Sequence, residues 1–243
     1  MGGIRGVAFD LDGTLYANYK LNIRLIPLVF RQWALVSGFA RVRGLLHRTA
    51  ATEGQSGDSR FQPGPELSTP PSFYDVQAAL LAERLKTNPQ SVKEKIDRFI
   101  YRDWEKCFVR IKPFPHVAET LGSLKASGFR LGLLSDFPPR KKLELLGLDG
   151  FFDVVFSTEE FGVLKPNPAP FVKLASAMGL PPKDILYVGN SPHYDIIGAK
   201  KAGMKTALLR RGILSTGFAG GHGAGLADFT FRNYRQLPEY VIG

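Results

Sequence analysis

The sequence predicts an α/β fold, a doubly wound and mostly parallel sheet with an inserted all-helical segment. Three observations carry that reading. Short apolar runs that end abruptly in polar clusters alternate with helical patterns, and nearly every helical pattern is closed by a glycine. The alternation is interrupted once, between residues 17 and 112, by a stretch that reads as helices only. Strands separated by helices need long crossover connections, which makes their pairing parallel and puts helices on both faces of the sheet.

The first strand is Ile4 to Asp10, an apolar run that stops in Asp-Leu-Asp-Gly-Thr. In the interruption, helices are predicted over Asn22 to about Arg48, Phe73 to Lys86 and Gln90 to about Phe108. Val76, Leu80, Leu81 and Leu85, and then Ile96, Phe99, Ile100 and Trp104, recur at helical spacing. Thr49 to Ser72 is rich in Gly, Ser, Pro and Thr, lacks periodicity and reads as a mobile loop. Beyond it, helices at Val117–Ser127, Arg140–Leu146, Ala169–Met178 and Tyr194–Ala202 alternate with strands at Arg130–Leu134, Val154–Phe156, Ile185–Val188 and Thr206–Leu209. Gly212 to Gly225 is glycine-heavy and irregular, and Phe229 to Phe231 reads as an edge strand. Residues 1–16 and 113–243 are therefore expected to form one α/β core and residues 17–112 a helical domain on it.

The chain has 243 residues, 44% hydrophobic and 22% charged, which excludes a mostly disordered protein and a small stapled scaffold. Its one cysteine, Cys107, cannot form an internal disulfide, as is normal in a reducing compartment, and Met1 to Asp10 lacks the features of a secretory signal. A cytoplasmic protein is expected. Leu25 to Ala40, the most apolar stretch, is interrupted by Pro27, Arg31 and Gln32 and is too short to span a bilayer. The net charge of +10 favours anionic partners, and residues 17–112 concentrate it, with 16 basic and 9 acidic side chains.

Ligands of doubly wound sheets bind beyond the carboxyl ends of the strands, where the polar clusters converge. Asp10 and Asp12 stand two residues apart just past the first strand, with Gly13 allowing a sharp turn. Paired carboxylates can divide labour, one attacking as a nucleophile while the other, its pKa raised, moves a proton. The same pair could instead cap backbone amides in a strand-end turn. Ser135 at the second strand end, Lys165 before a proline, and Asn190 with Asp195 after the fourth strand complete the set. Taken singly, Ser135 reads as a helix cap, Lys165 as a surface charge and Asp195 as the start of a helix.

In this order and at these places, Asp10-Leu11-Asp12-Gly13-Thr14, Leu133-Leu134-Ser135-Asp136, Lys165-Pro166-Asn167-Pro168 and Gly189-Asn190-Ser191 with Asp195 resemble the motifs of the haloacid dehalogenase-like superfamily. The likeness covers residues 4 to 16 and about 113 to 210. It implies a Rossmann-like core, with the insert as the family's helical cap. It implies a phosphatase acting on a small phosphorylated metabolite, with Asp10 forming an aspartyl-phosphate and Asp12 serving as general acid and base. Ser135, Lys165, Thr14 and Asp136 would contact the substrate. Mg²⁺ would be held by Asp10, Asp12 through its main-chain carbonyl, Asn190 and Asp195.

Asn190 departs from the pattern, because phosphatases of the family usually carry an acid there. Metal-independent haloacid dehalogenases have an asparagine at that point but lack the second aspartate, which is present here as Asp12. A catalytically weak binding or regulatory protein that kept the fold is a third reading. His47, His116, His193 and His222 have no zinc-ligand spacing, and no nucleic-acid motif is present. Arg24, Arg31, Arg41, Arg43 and Arg48 read either as a solvated helix face or as a basic surface toward an anionic substrate or membrane.

Overall fold

The computed structural model describes residues 3–53, 71–210 and 225–243. Six parallel strands form one sheet in the order β3-β2-β1-β4-β5-β6, with β1 at Gly6–Phe9, β2 at Arg130–Ser135, β3 at Val154–Ser157, β4 at Ile185–Gly189, β5 at Lys205–Leu209 and β6 at Phe229–Phe231. β1 lies between β2 and β4, with Phe9 level with Leu133 on one side and Val188 on the other. All three strands therefore end together, and the residues just past them share one edge of the sheet. The predicted edge strand at Phe229–Phe231 pairs in parallel with β5.

Both faces are covered, as the unbroken apolar strands require. On one face Val7, Phe9, Leu131, Leu133, Leu186 and Val188 pack with α6 (Val117–Ala126), α7 (Arg140–Leu146) and α10 (Gln236–Ile242). On the other, Ala8, Leu134 and Tyr187 pack with α8 (Pro168–Ala177) and α9 (Ile197–Lys201). Local chemistry sets the ends of these helices. Asn167 accepts from the Ala169 amide and is followed by Pro168 at the first helical position of α8, while Gly147 closes α7 in the left-handed conformation. The C-terminal helix α10 was not anticipated from the sequence.

The insert departs from expectation in detail. The single helix expected over Asn22 to Arg48 is two, α1 (Asn18–Arg31) and α2 (Trp33–Glu53), divided at Gln32. Burial explains the division. Leu21 and Leu25 of α1 join the cluster on the sheet, whereas Leu35, Phe39, Val42 and Leu46 of α2 join a second cluster among the inserted helices. One straight helix could not serve both. Thr49 to Glu53, expected in a loop, belongs to α2; residues 54–70 of that loop, most of the glycine-heavy tail and His222 lie outside the described residues.

The second cluster is completed by α3 (Phe73–Leu85) and by a helix running from α4 (Pro89–Lys95) through a π-helical stretch at Ile96–Arg102 into α5 (Asp103–Phe108). Ser72 and Asp75 form a capping box at the start of α3, and Asn88 caps α4 ahead of Pro89. Opposite its buried side, α1 turns large apolar groups to water. Tyr19, Ile23, Ile26 and Phe30, with Trp33 of α2, are 48% to 78% exposed. Among the described residues, no helix is long and apolar enough to cross a membrane.

Candidate active site

β1 delivers Asp10 to the sheet edge, where its amide donates to Val188 O of the neighbouring strand. The chain then turns at Gly13, whose φ of +91° is left-handed and where a Cβ would stand 2.5 Å from Asn190 Nδ2. Only glycine fits both demands. Gly189 is constrained by space alone, since a Cβ there would collide with Asp195 at 2.3 Å. The close approach of these loops gathers residues from four separate segments.

Lys165 is the centre of the site. Its ammonium, 3% exposed, donates to Asp10 Oδ1 at 2.7 Å and to Asp195 Oδ1 at 2.8 Å, with Leu134 O and Tyr187 Oη each at 3.4 Å. Burial alone would push that ammonium toward neutrality, but the two carboxylates outweigh it and hold its pKa well above the usual range. Asp10 Oδ2 accepts from Thr14 Oγ1 at 2.7 Å, and the same hydroxyl lies 3.2 Å from Asn190 Oδ1. Asp195 Oδ2 accepts from the Asn190 and Ser191 amides. Both oxygens of Asp195 are thus engaged, so this residue, expected among the metal ligands, also fixes Lys165 and the loop after β4.

Asp12 faces different partners. Its Oδ1 accepts from Lys142 Nζ at 2.6 Å and from Tyr16 Oη, and its Oδ2 accepts from Ser135 Oγ at 3.2 Å. Burial opposes ionisation here too, yet Lys142 and these hydrogen bonds prevail and hold the Asp12 carboxyl below the ordinary aspartate value. Asp10 goes the other way. Burial, reinforced by Asp195 and Asp12, pushes its carboxyl up to about 7 despite Lys165. The sequence reading expects the raised pKa on the proton-moving partner, whereas the groups around these two carboxyls favour the other order. The raised one is Asp10.

Asp136 is turned away from Asp10. Its Oδ1 accepts from Thr158 Oγ1 at 2.7 Å and from the Lys165 amide at 3.2 Å, so it shapes the Lys165 loop. His193 is exposed and lies against the Tyr194 ring. Four contributors escaped the sequence reading. Lys142 and Tyr16 look like an ordinary charged first turn and a core aromatic, and only their three-dimensional placement exposes them.

Arg43 and His47 are the other two, one turn apart on α2. Arg43, read as part of a basic face, is buried. Its guanidinium donates to Glu159, to Gln77 Oε1 and, at 2.6 Å, to Asp136 O, and it lies 4.2 Å over the Phe137 ring. His47 Nδ1 lies 2.7 Å from Lys165 O. The inserted helices therefore touch the loops of two motifs directly.

Three buried or half-buried carboxylates, Asp10, Asp12 and Asp195, face two ammonium groups, Lys165 and Lys142. That surplus of negative charge and the hard oxygens of Asp10 and Asn190 around one hydroxyl suit a cation such as Mg²⁺. Among the described residues, no three His, Cys, Asp or Glu side chains converge as a metal cage, so such a site depends on the Asn190 amide and main-chain oxygen.

Residues 4–203 match the family of haloacid dehalogenase-like hydrolases. A glyceraldehyde 3-phosphate phosphatase of Methanopyrus kandleri is 32% identical over 98% of this chain and 93% of its own. A phosphoglycolate phosphatase of Salmonella typhimurium is 32% identical over 86% of this chain and 82% of its own. In fold, the chain is similar to a 2-haloacid dehalogenase of Pseudomonas syringae pv. Tomato, with a TM-score of 0.65 at 23% identity over 98% of each chain. The order of the motifs, the parallel sheet and these relatives agree, and the chain belongs to the haloacid dehalogenase-like hydrolases.

Proposed function

We propose that the protein is a Mg²⁺-dependent phosphatase of a small phosphorylated metabolite, working through an aspartyl-phosphate on Asp10. The observation that carries this reading is the pair of aspartates two residues apart, one against Lys165 and Thr14, the other against Lys142, Tyr16 and Ser135. A nucleophile and a proton carrier need such separate surroundings. The phosphatase names of the curated relatives support it.

Asp10 attacks phosphorus in line, the bond to the leaving oxygen breaks, and Asp12 gives that oxygen its proton. The incoming phosphate dianion supplies the negative charge that raises the Asp12 carboxyl far enough to take up a proton as substrate binds. Asp12 then removes a proton from water, the resulting hydroxide attacks phosphorus, and the Asp10 carboxylate is regenerated. Lys165, fixed by Asp195, offsets the charge shared by Asp10 and the phosphoryl group, and Ser135 donates to a phosphoryl oxygen. Asp10, Asn190 and the Asp12 carbonyl would hold Mg²⁺, which supplies positive charge to the phosphoryl oxygens when bound.

Residues 17–112 act in this reading as a cap on a core made of residues 1–16 and 113–243, excluding water during the transfer. A cytoplasmic setting belongs to the same reading and rests on the single cysteine. Asn190 favours a second reading, metal-independent dehalogenation, which chloride release from a 2-chloroalkanoate in chelator would reveal. Beryllium trifluoride with saturating Mg²⁺ tests the main one. A fluoroberyllate on Asp10, absent in Asp10→Asn, is expected, and a folded protein whose Asp10 stays free would overturn it.

A further inference from the structure

A cavity of about 470 Å³ lies between the inserted helices and α7. Its walls include Ile100, Tyr101, Trp104, Phe108 and Phe137, and Lys142 also lines it. Two of these residues are one contact from the reacting groups and a third, Phe108, is two contacts away. Lys142 bonds to Asp12; Phe108 packs edge-on against Tyr16, whose hydroxyl also bonds to Asp12; and the Phe137 amide donates to Ser135 Oγ. The π-helical stretch Ile96–Arg102 forms part of the wall, a local widening that often accompanies binding sites.

The geometry points to a phosphomonoester whose alcohol carries an aromatic or similarly bulky apolar group, seated in this cavity. The inference rests on the phosphatase reading above. The oxygen that Asp12 protonates is the one bonded to the leaving group, so the leaving group must extend on the Asp12 side of the site. That is the side on which the cavity lies. Rim charges are largely neutralised in place, with Lys93 on Asp75, Arg102 on Asp97 and Lys141 on Glu144. A small carboxylate placed among the rings would lose hydration without a free cation to replace it, whereas a ring would exchange water for packed apolar surface.

The test compares two esters whose alcohols have similar acidity, benzyl phosphate and ethyl phosphate, so that leaving-group chemistry cancels. A phenyl ring removes on the order of 100 Å² more apolar surface from water than a methyl group, so kcat/KM for the benzyl ester should exceed that for the ethyl ester by about tenfold or more. Benzylphosphonate, which cannot be hydrolysed, should bind at least about tenfold more tightly than ethylphosphonate by calorimetry, on the same arithmetic. Trp104→Ala should lower both ratios severalfold. Leu145→Trp, at a cavity-lining position 38% exposed, narrows the same space without disturbing the core and should lower the benzylphosphonate affinity.

Turnover of ethyl phosphate without preference for the benzyl ester, together with equal phosphonate affinities, overturns the inference and leaves the phosphatase reading standing. Absence of phosphate release from every ester, with no fluoroberyllate on Asp10, overturns both.

Discussion

Two halves of the site, each built on an aspartate and a lysine, behave in opposite ways. Around Lys165, two carboxylates share one ammonium in a pocket closed to water, and the Asp10 carboxyl rises to about 7. Around Lys142, one carboxylate has an ammonium and two hydroxyls to itself, and the Asp12 carboxyl falls. The residue types are the same and they stand two positions apart. Burial works against both charges, and against that common background the ratio of negative to positive groups separates the two carboxylates.

Asp10→Asn is the sharpest way to break the comparison. Loss of the attacking oxygen should lower kcat by at least about a thousandfold in a phosphate-release assay. The same change should raise thermal stability at pH 8 in chelator by about 2 kcal/mol, because it removes a charge that burial and the neighbouring carboxylates both disfavour. The carboxyl lies near 7 folded and near 3.8 unfolded, so the wild type loses stability as pH rises through that window. The advantage of Asn should therefore be large at pH 8 and nearly absent at pH 4, as melting curves at the two pH values would show.

On the other side, Lys142→Met takes the ammonium from Asp12, whose carboxyl should rise. Turnover at pH 7 should fall about tenfold to a hundredfold, and the acid limb of the pH–rate profile should move to higher pH. An unmoved limb would mean that Tyr16 and Ser135 suffice to set the behaviour of Asp12.

Asn190→Asp sharpens the Lys165 half from its open end. An added negative oxygen beside Asp10 should lower the Mg²⁺ concentration needed for half activity about tenfold, read from a metal titration. The smallest expected effect on chemistry comes from the junction with the insert. Arg43→Met leaves Glu159 buried without its cation and should cost about 3 kcal/mol of stability in denaturant unfolding, with KM rising only a few-fold.

The strands, most of the helices behind them and the main site residues were legible because position carries the signal. An apolar run that stops in Asp, Ser or Asn is a strand end, and in a parallel sheet strand ends converge. Lys142 was not legible, because Arg140-Lys141-Lys142 has the composition of a solvated first turn, and only the pairing of β1 with β2 brings it to Asp12. Arg43 was hidden for the same reason. It sits in a run of basic residues, and nothing local says that Glu159, 116 positions away, will bury it. The break at Gln32 was equally invisible, since the helical period continues through it and only the presence of two separate cores requires the turn.

The wet apolar ridge from Tyr19 to Trp33 has a colloidal consequence. At low ionic strength the net charge of +10 keeps copies apart, and the ridge is harmless. Raising salt shrinks the screening length from about 30 Å at 0.01 M to about 3 Å at 1 M and leaves that ridge as the dominant short-range attraction. Solutions of this protein should clear on desalting and scatter light on adding sulfate.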